Sequence, residues 1–207
     1  MNYKAIFKSL FILVAAVAIS IGATGSYFSD QASVVGNQFS TGYWSNVVIN
    51  EVYYDVDAAH DIEGKNEWIE LYNPTPDPIN LKNYTIEDNS GITRTIHSNT
   101  IIPAFGLAII SKDASTWALY WTMPPLSVKI ALGLLIGNGL ATDGDRVILK
   151  NAAGTIVDQM GYGTDTAIWD PAVLGVAEGH SLERVSPGYD TDLPSDFVEM
   201  MTPTPGN

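Results

Sequence analysis

From Val47 onward, apolar stretches of five to eight residues alternate with clusters of Asn, Asp, Gly, Pro and Ser. That rhythm predicts short β-strands joined by tight turns. Val47 to Tyr54 is rich in β-branched and aromatic side chains, and its alternation breaks at Asn50-Glu51. Trp68 to Tyr72 ends at Asn73-Pro74, and Pro76 and Pro78 forbid its continuation as a central strand. Tyr84 and Ile86 alternate with Thr85 and Glu87 before the turn Asn89-Ser90-Gly91. Ile92, Arg94 and Ile96 then alternate with Thr93, Thr95 and His97. Leu107 to Ile110 is apolar at both parities, as in a strand covered on both faces. Arg146 to Lys150 and Thr155 to Met160 flank Asn151 to Gly154, a hairpin turn with a glycine free to take positive φ. Six or seven short strands at this spacing predict an all-β antiparallel sandwich. A single helix is predicted from Asp113 to Trp121, with Asp113 as its cap and Pro124-Pro125 as its stop.

The amino terminus has another pattern. Lys4 and Lys8 precede an apolar run from Leu10 to Ile19, then the small and polar residues Ser20 to Ser26. A basic start, a short apolar stretch and a small-residue cleavage region predict a secretory signal peptide. A membrane anchor needs roughly 20 apolar residues, whereas Ser9 to Gly25 offers 17, several of them small or polar. Cleavage is expected near Ala23 to Ser26, which gives a signal peptide at 1–25 and a leader at 26–46. The sandwich is expected at 47–165, with an extension at 166–207 wrapping over it. Membrane contact is expected only through an uncleaved signal segment, and the mature protein is expected outside the cell or on its surface.

Charge and composition narrow the functions. Lys plus Arg number 10 against 23 Asp plus Glu, a net charge of -13 that becomes -15 once Lys4 and Lys8 leave with the signal peptide. Such a chain repels phosphate backbones, and with no basic block it is not expected to bind nucleic acid in general. Without cysteine there is no disulfide, thiolate metal site or cysteine nucleophile.

Candidate chemistry is sparse. His60, His97 and His180 lie far apart and in no metal-type spacing, and His97 is expected to face solvent. No Gly-x-Ser-x-Gly elbow or phosphate-loop motif occurs. No catalytic residue emerges, and an uncharacterised hydrolase is the weakest reading. The one site-like cluster is Asp55, Asp57, Asp61 and Glu63, whose carboxylates can gather a calcium ion if the loop folds around it. The spacing fails the helix-loop-helix calcium pattern, so a solvated acidic loop is the default. Asp143 and Asp145 would add ligands only if the two loops met.

Two resemblances add to this reading. Tyr27-Phe28-Ser29-Asp30, with Gly36-Asn37-Gln38-Phe39 after it, resembles the start of proteins exported through the specialised signal peptidase that serves biofilm-matrix fibre proteins and camelysin. The next residues, Tyr43-Trp44-Ser45-Asn46, depart from those proteins, so the resemblance implies only the export route. The second resemblance covers roughly residues 47 to 206. It rests on Asn50-Glu51-Val52-Tyr53-Tyr54, Glu67-Trp68-Ile69-Glu70-Leu71-Tyr72-Asn73-Pro74, Leu81-Lys82-Asn83-Tyr84, Gly144-Asp145-Arg146-Val147, His180-Ser181-Leu182-Glu183-Arg184 and Pro203-Thr204-Pro205-Gly206, in that order. This resembles a lamin-tail domain of the prokaryotic secreted kind. It implies an immunoglobulin-like β-sandwich and a non-catalytic binding or structural module, with other envelope or matrix proteins, or the chain itself, as partners. Self-assembly by addition of Tyr27 to Thr41 to a neighbour's sheet edge is the alternative.

Within the motif, Ile69 and Leu71 share one strand face, while Trp68, Glu70 and Tyr72 share the other. Trp68 is expected to fill core, with its indole N–H partnered or at the surface, and Asn73 to bond the backbone at the turn. Glu70 is the anomaly, a carboxylate between two aromatics. It is expected either to pair with Arg184 or Arg146, fastening the late chain to the sheet, or to lie exposed at an edge. Glu67, Trp68, Glu70, Asn73 and Arg184 are therefore expected to serve structure.

Overall fold

The structure, a computed structural model, describes residues 47–207 except 62 and 126; the expected signal peptide at 1–25 and leader at 26–46 lie outside the described residues. Its largest sheet is built from β1 (Val48–Tyr53), β2 (Trp68–Tyr72), β7 (Leu107–Ser111), β8 (Val128–Ala131), β11 (Ser181–Arg184) and β12 (Phe197–Met200), in the order β12-β11-β1-β2-β7-β8. The facing sheet has the order β10-β9-β4-β5, from β4 (Thr85–Glu87), β5 (Thr93–Thr95), β9 (Gly144–Lys150) and β10 (Ile156–Gly163). A short pair joins β3 (Ile79–Asn80) to β6 (Ile101–Ile102). This is the expected immunoglobulin-like sandwich.

Alternation decides which side chains fill it. In β1 and β2, Ile49, Val52, Ile69 and Leu71 point inward to meet Ile86, Val147, Leu149 and Met160 of the other sheet. Burial of each such side chain contributes about 2 kcal/mol. The broken alternation in β1 has a structural cause: the register with β2 shifts between Ile49 and Glu51, leaving Asn50 as a bulge residue. Tyr54 and Tyr162 stack between the layers with centroids 3.9 Å apart. Residues of opposite parity form a second apolar cluster on the outer face of the large sheet, where Tyr53, Trp68 and Ile109 meet Trp117. That is why Leu107 to Ile110 reads as apolar at both parities.

The expected hairpin joins β9 to β10, with Gly154 at φ 80 and its N–H donated to Asn151 O. Two expectations need correction. The helix α1 spans only Ser115–Leu119, and no side chain among the described residues caps it. Asp113 serves through its backbone carbonyl, which accepts from Thr116 N and Ser111 Oγ. One strand pair is also not antiparallel, because the crossover through α1 returns β8 parallel to β7. The residues after 165 contribute β11 and β12, and β11 pairs directly with β1.

Candidate functional site

The motif around β2 holds the fold from several sides. Glu67, just before β2, is buried and accepts from Leu140 N at 3.0 Å, tying the loop before β9 to the large sheet. Burial pushes its carboxyl up to about 8. Trp68 is fully buried and packs between Tyr53 (5.6 Å) and Trp121 (5.7 Å), yet its indole N–H has no hydrogen-bond partner among the described residues. Asn73 donates to Asp77 O (2.8 Å) and Pro103 O (2.9 Å) and accepts from Thr75 N, fixing the turn after β2.

Glu70 is neither exposed nor paired with an arginine. It is wholly buried, its Oε1 accepts from Asn50 Nδ2 at 2.8 Å, and its Oε2 accepts from Gly206 N at 2.6 Å. The register explains why Arg184 cannot reach it. Glu183, Glu51 and Glu70 lie abreast on adjacent strands, so they share the outer face, and Arg184, one residue on, projects to the inner one. Arg146 lies on the other sheet, 3.4 Å from Asp165. The carboxyl-terminal chain is fastened through its own backbone instead: Thr204 N donates to Glu51 (3.1 Å) as Gly206 N does to Glu70. Burial lifts Glu51 to about 7 and Glu70 to about 8, the hydrogen bonds pulling each the other way.

Arg184 organises the inner face near the open side of the sandwich. Its guanidinium lies 2.8 Å from Asp158, 3.2 Å from Asp190 and 3.6 Å from Asp196. Its Nε donates to Ile49 O at 2.7 Å, and the group stacks over the Phe197 ring. One side chain thus links β11, β1, β10 and the loop before β12. Burial raises the Asp158 carboxyl to about 6 even though Arg184 pulls it down. Sequence reasoning found Arg184 but not its three aspartates, which stand at separations that no local pattern marks.

The acidic loop does not converge as a calcium site. Asp57 caps a 3-10 turn at Ala58–His60 and bonds His60 Nδ1. Glu63 accepts from Val56 N at 3.2 Å, and Asp61 lies 3.5 Å from Lys65. Asp145 accepts from the N–H groups of Asn89, Ala141 and Arg146. Among the described residues no group of three or more His, Asp or Glu side chains is placed to hold a metal ion. Asp57, Asp61, Glu63 and Asp145 are thus each drawn to a separate backbone or side-chain partner, while Asp55 accepts from Gly179 N through its backbone carbonyl. His97 is exposed beyond the end of β5.

One accessible feature among the described residues is a groove of about 420 Å³ between the edge strand β12 and residues 172–175. Leu182 and Phe197 line it with their buried side chains, and Leu174, 84% exposed, stands on the opposite wall. Residues 172–175 belong to the other layer, since Val173 bridges to Tyr162 of β10. The groove therefore runs along the open side of the sandwich, where an extended ligand would meet both an apolar floor and a sheet edge.

Residues 42–164 match the family model described as Lamin Tail Domain. The chain belongs to the lamin tail domain family. No curated protein matches it. The lamin tail match takes in Glu67, Trp68, Glu70 and Asn73, while Arg184, β11 and β12 lie past its end yet complete the same large sheet. Lamin tail domains are a non-catalytic family, and here Glu67, Glu70 and Asn73 use their side-chain polar atoms to hold strands and turns.

Proposed function

We propose that this lamin tail domain protein is exported and works outside the cell or at its surface as a non-catalytic binding or structural module. The observation that carries the reading is the use made of its conspicuous polar residues. Glu67, Glu70, Asn73 and Arg184 all bind backbone or one another's neighbours inside the fold, while the apolar groove beside β12 stays open. Export is supported by the order of Lys4 and Lys8, the apolar run and the small residues after it. The partners are other envelope or matrix proteins. Fractionating producing cells into medium, wall, membrane and cytosol tests this, with the amino terminus of the recovered protein determined by mass spectrometry. Recovery outside the cytosol, beginning near residue 26, is expected; an intact cytosolic chain overturns the proposal.

Self-assembly is the second reading, favoured by one feature: β12 ends the large sheet and, among the described strands, pairs only with β11. Tyr27 to Thr41 of one copy would add to an exposed edge of another. Electron microscopy of the purified protein decides it. Fibres lost on removing residues 27–44 support assembly, and monodisperse particles unchanged by that removal exclude it.

A further inference from the structure

The groove beside β12 joins three properties that together specify a ligand. The first is a free strand edge. Val185 N donates to Asp196 O at 2.8 Å, which sets the phase of the β11–β12 ladder. Along an antiparallel pair the bonded positions recur every second residue, so Glu183 faces Val198 in a bonded pair. Glu199, between bonded positions, turns its N–H and C=O away from β11 toward the open side.

The second property is an apolar lining. Leu182, Phe197, Val173 and Leu174 border about 420 Å³, room for two or three aliphatic side chains from a strand laid along β12.

The third is a surplus of negative charge. Residues 151–207 contain nine Asp and Glu but a single Arg and no Lys. That Arg184 is buried among Asp158, Asp190 and Asp196, so its charge is not offered to the surface. Each segment forming the groove carries an exposed acid close by: Asp170 before Ala172, Glu178 after Gly175, Asp192 before Pro194, and Glu199 on the strand itself. His180 answers Glu199 at 2.7 Å, and no Lys or Arg of this region answers the rest. A field of this kind attracts cationic chains and repels acidic ones, a second copy of this -13 chain included.

We infer that the groove binds an extended segment of another protein in which apolar residues alternate with Lys or Arg, pairing along β12 with its apolar side chains in the groove and its cations on the opposite face of the added strand, held by the field of the acidic surroundings. This rests on the reading of the chain as a binding module and adds the chemistry of its partner.

Isothermal titration of the purified protein with capped nine-residue peptides tests it. The peptides alternate Val with Lys, Val with Glu, or Ser with Lys. Saturable binding of the Val–Lys peptide is expected, at least tenfold tighter than either control and weakened as salt is raised. Leu174→Ser alters an exposed side chain and should weaken that binding severalfold with the melting temperature unchanged. Hydrogen exchange of the Glu199 amide should slow in the complex, which a purely electrostatic association would not cause. Equal binding of the Val–Lys and Val–Glu peptides overturns the inference, as does indifference to Leu174→Ser. Tighter binding of a peptide spanning residues 27–41 also overturns it, by assigning the groove to the chain's own leader. A cytosolic location would overturn the proposed export and leave these titrations standing.

Discussion

Gly206 donates its backbone N–H to the buried Oε2 of Glu70 at 2.6 Å, joining a residue near the end of the chain to the central β2 strand. Gly206 adopts φ +85, and a Cβ there would stand 2.5 Å from Ser127 Oγ. The contact needs a residue without a side chain. Gly206→Ala is expected to cost about 1–3 kcal/mol through backbone strain and the weakened hydrogen bond. Urea unfolding of the variant beside the parent checks this.

Stability is expected to fall as pH rises from 5 to 8. Burial lifts Glu51 to about 7, Glu67 to about 8 and Glu70 to about 8 in the folded protein, whereas an unfolded Glu titrates near about 4.3. Within that window the folded state holds more protons than the unfolded one, so raising the pH favours unfolding. The sum is expected to exceed about 2 kcal/mol, read as a lower urea midpoint at pH 8 than at pH 5.

Glu70→Gln is expected to flatten part of that dependence and to match or exceed the parent's stability at pH 8. The amide can still accept from Gly206 N. Its new NH₂ finds an acceptor if Asn50 turns over, because Asn50 Oδ1 has no partner among the described residues. The same midpoints measured across pH for both proteins provide the comparison.

Arg184→Met is expected to cost about 3–5 kcal/mol, because it leaves Asp158, Asp190 and Asp196 without their shared cation in a buried site. Thermal and urea unfolding at pH 7 read the loss directly. A change below about 1 kcal/mol would show that water reaches the three carboxylates.

Calcium is expected to leave the melting temperature unchanged, since Asp57, Asp61 and Glu63 each have separate partners. Scanning calorimetry with calcium and with chelator tests it. A rise that Asp57→Ala abolishes would mean that the loop rearranges around the ion.

The strands that can be read in the sequence are those with a one-sided alternation, a marked turn or, as at Leu107 to Ile110, an unbroken apolar run. Trp68 to Tyr72 is bounded by Asn73-Pro74, and the β9–β10 hairpin by its glycine. β3 and β6 are only two residues each, too short to show any period. β12 is hidden for another reason: Val198 and Glu199 are exposed at an edge, so no buried face imposes alternation on it. The site residues divide in the same way. Asn73 acts on neighbours within a few positions, and its role is readable locally. Glu70 can be flagged as anomalous but not matched, because its partner is a backbone N–H, and every residue but proline offers one. The broken alternation at Asn50-Glu51 is visible, whereas its meaning as a bulge requires the register with β2.

The pairing of β11 with β1 bears on the order in which the molecule comes into being. Ser181 and Glu51, hydrogen-bonded side by side, are 130 positions apart. β1 is the first strand of the sandwich to be synthesised, and it has a neighbour on one side only until residues 181–200 are free of ribosome or translocation pore. The large sheet therefore cannot be completed from its front: the second neighbour of β1 arrives only with the rear of the chain.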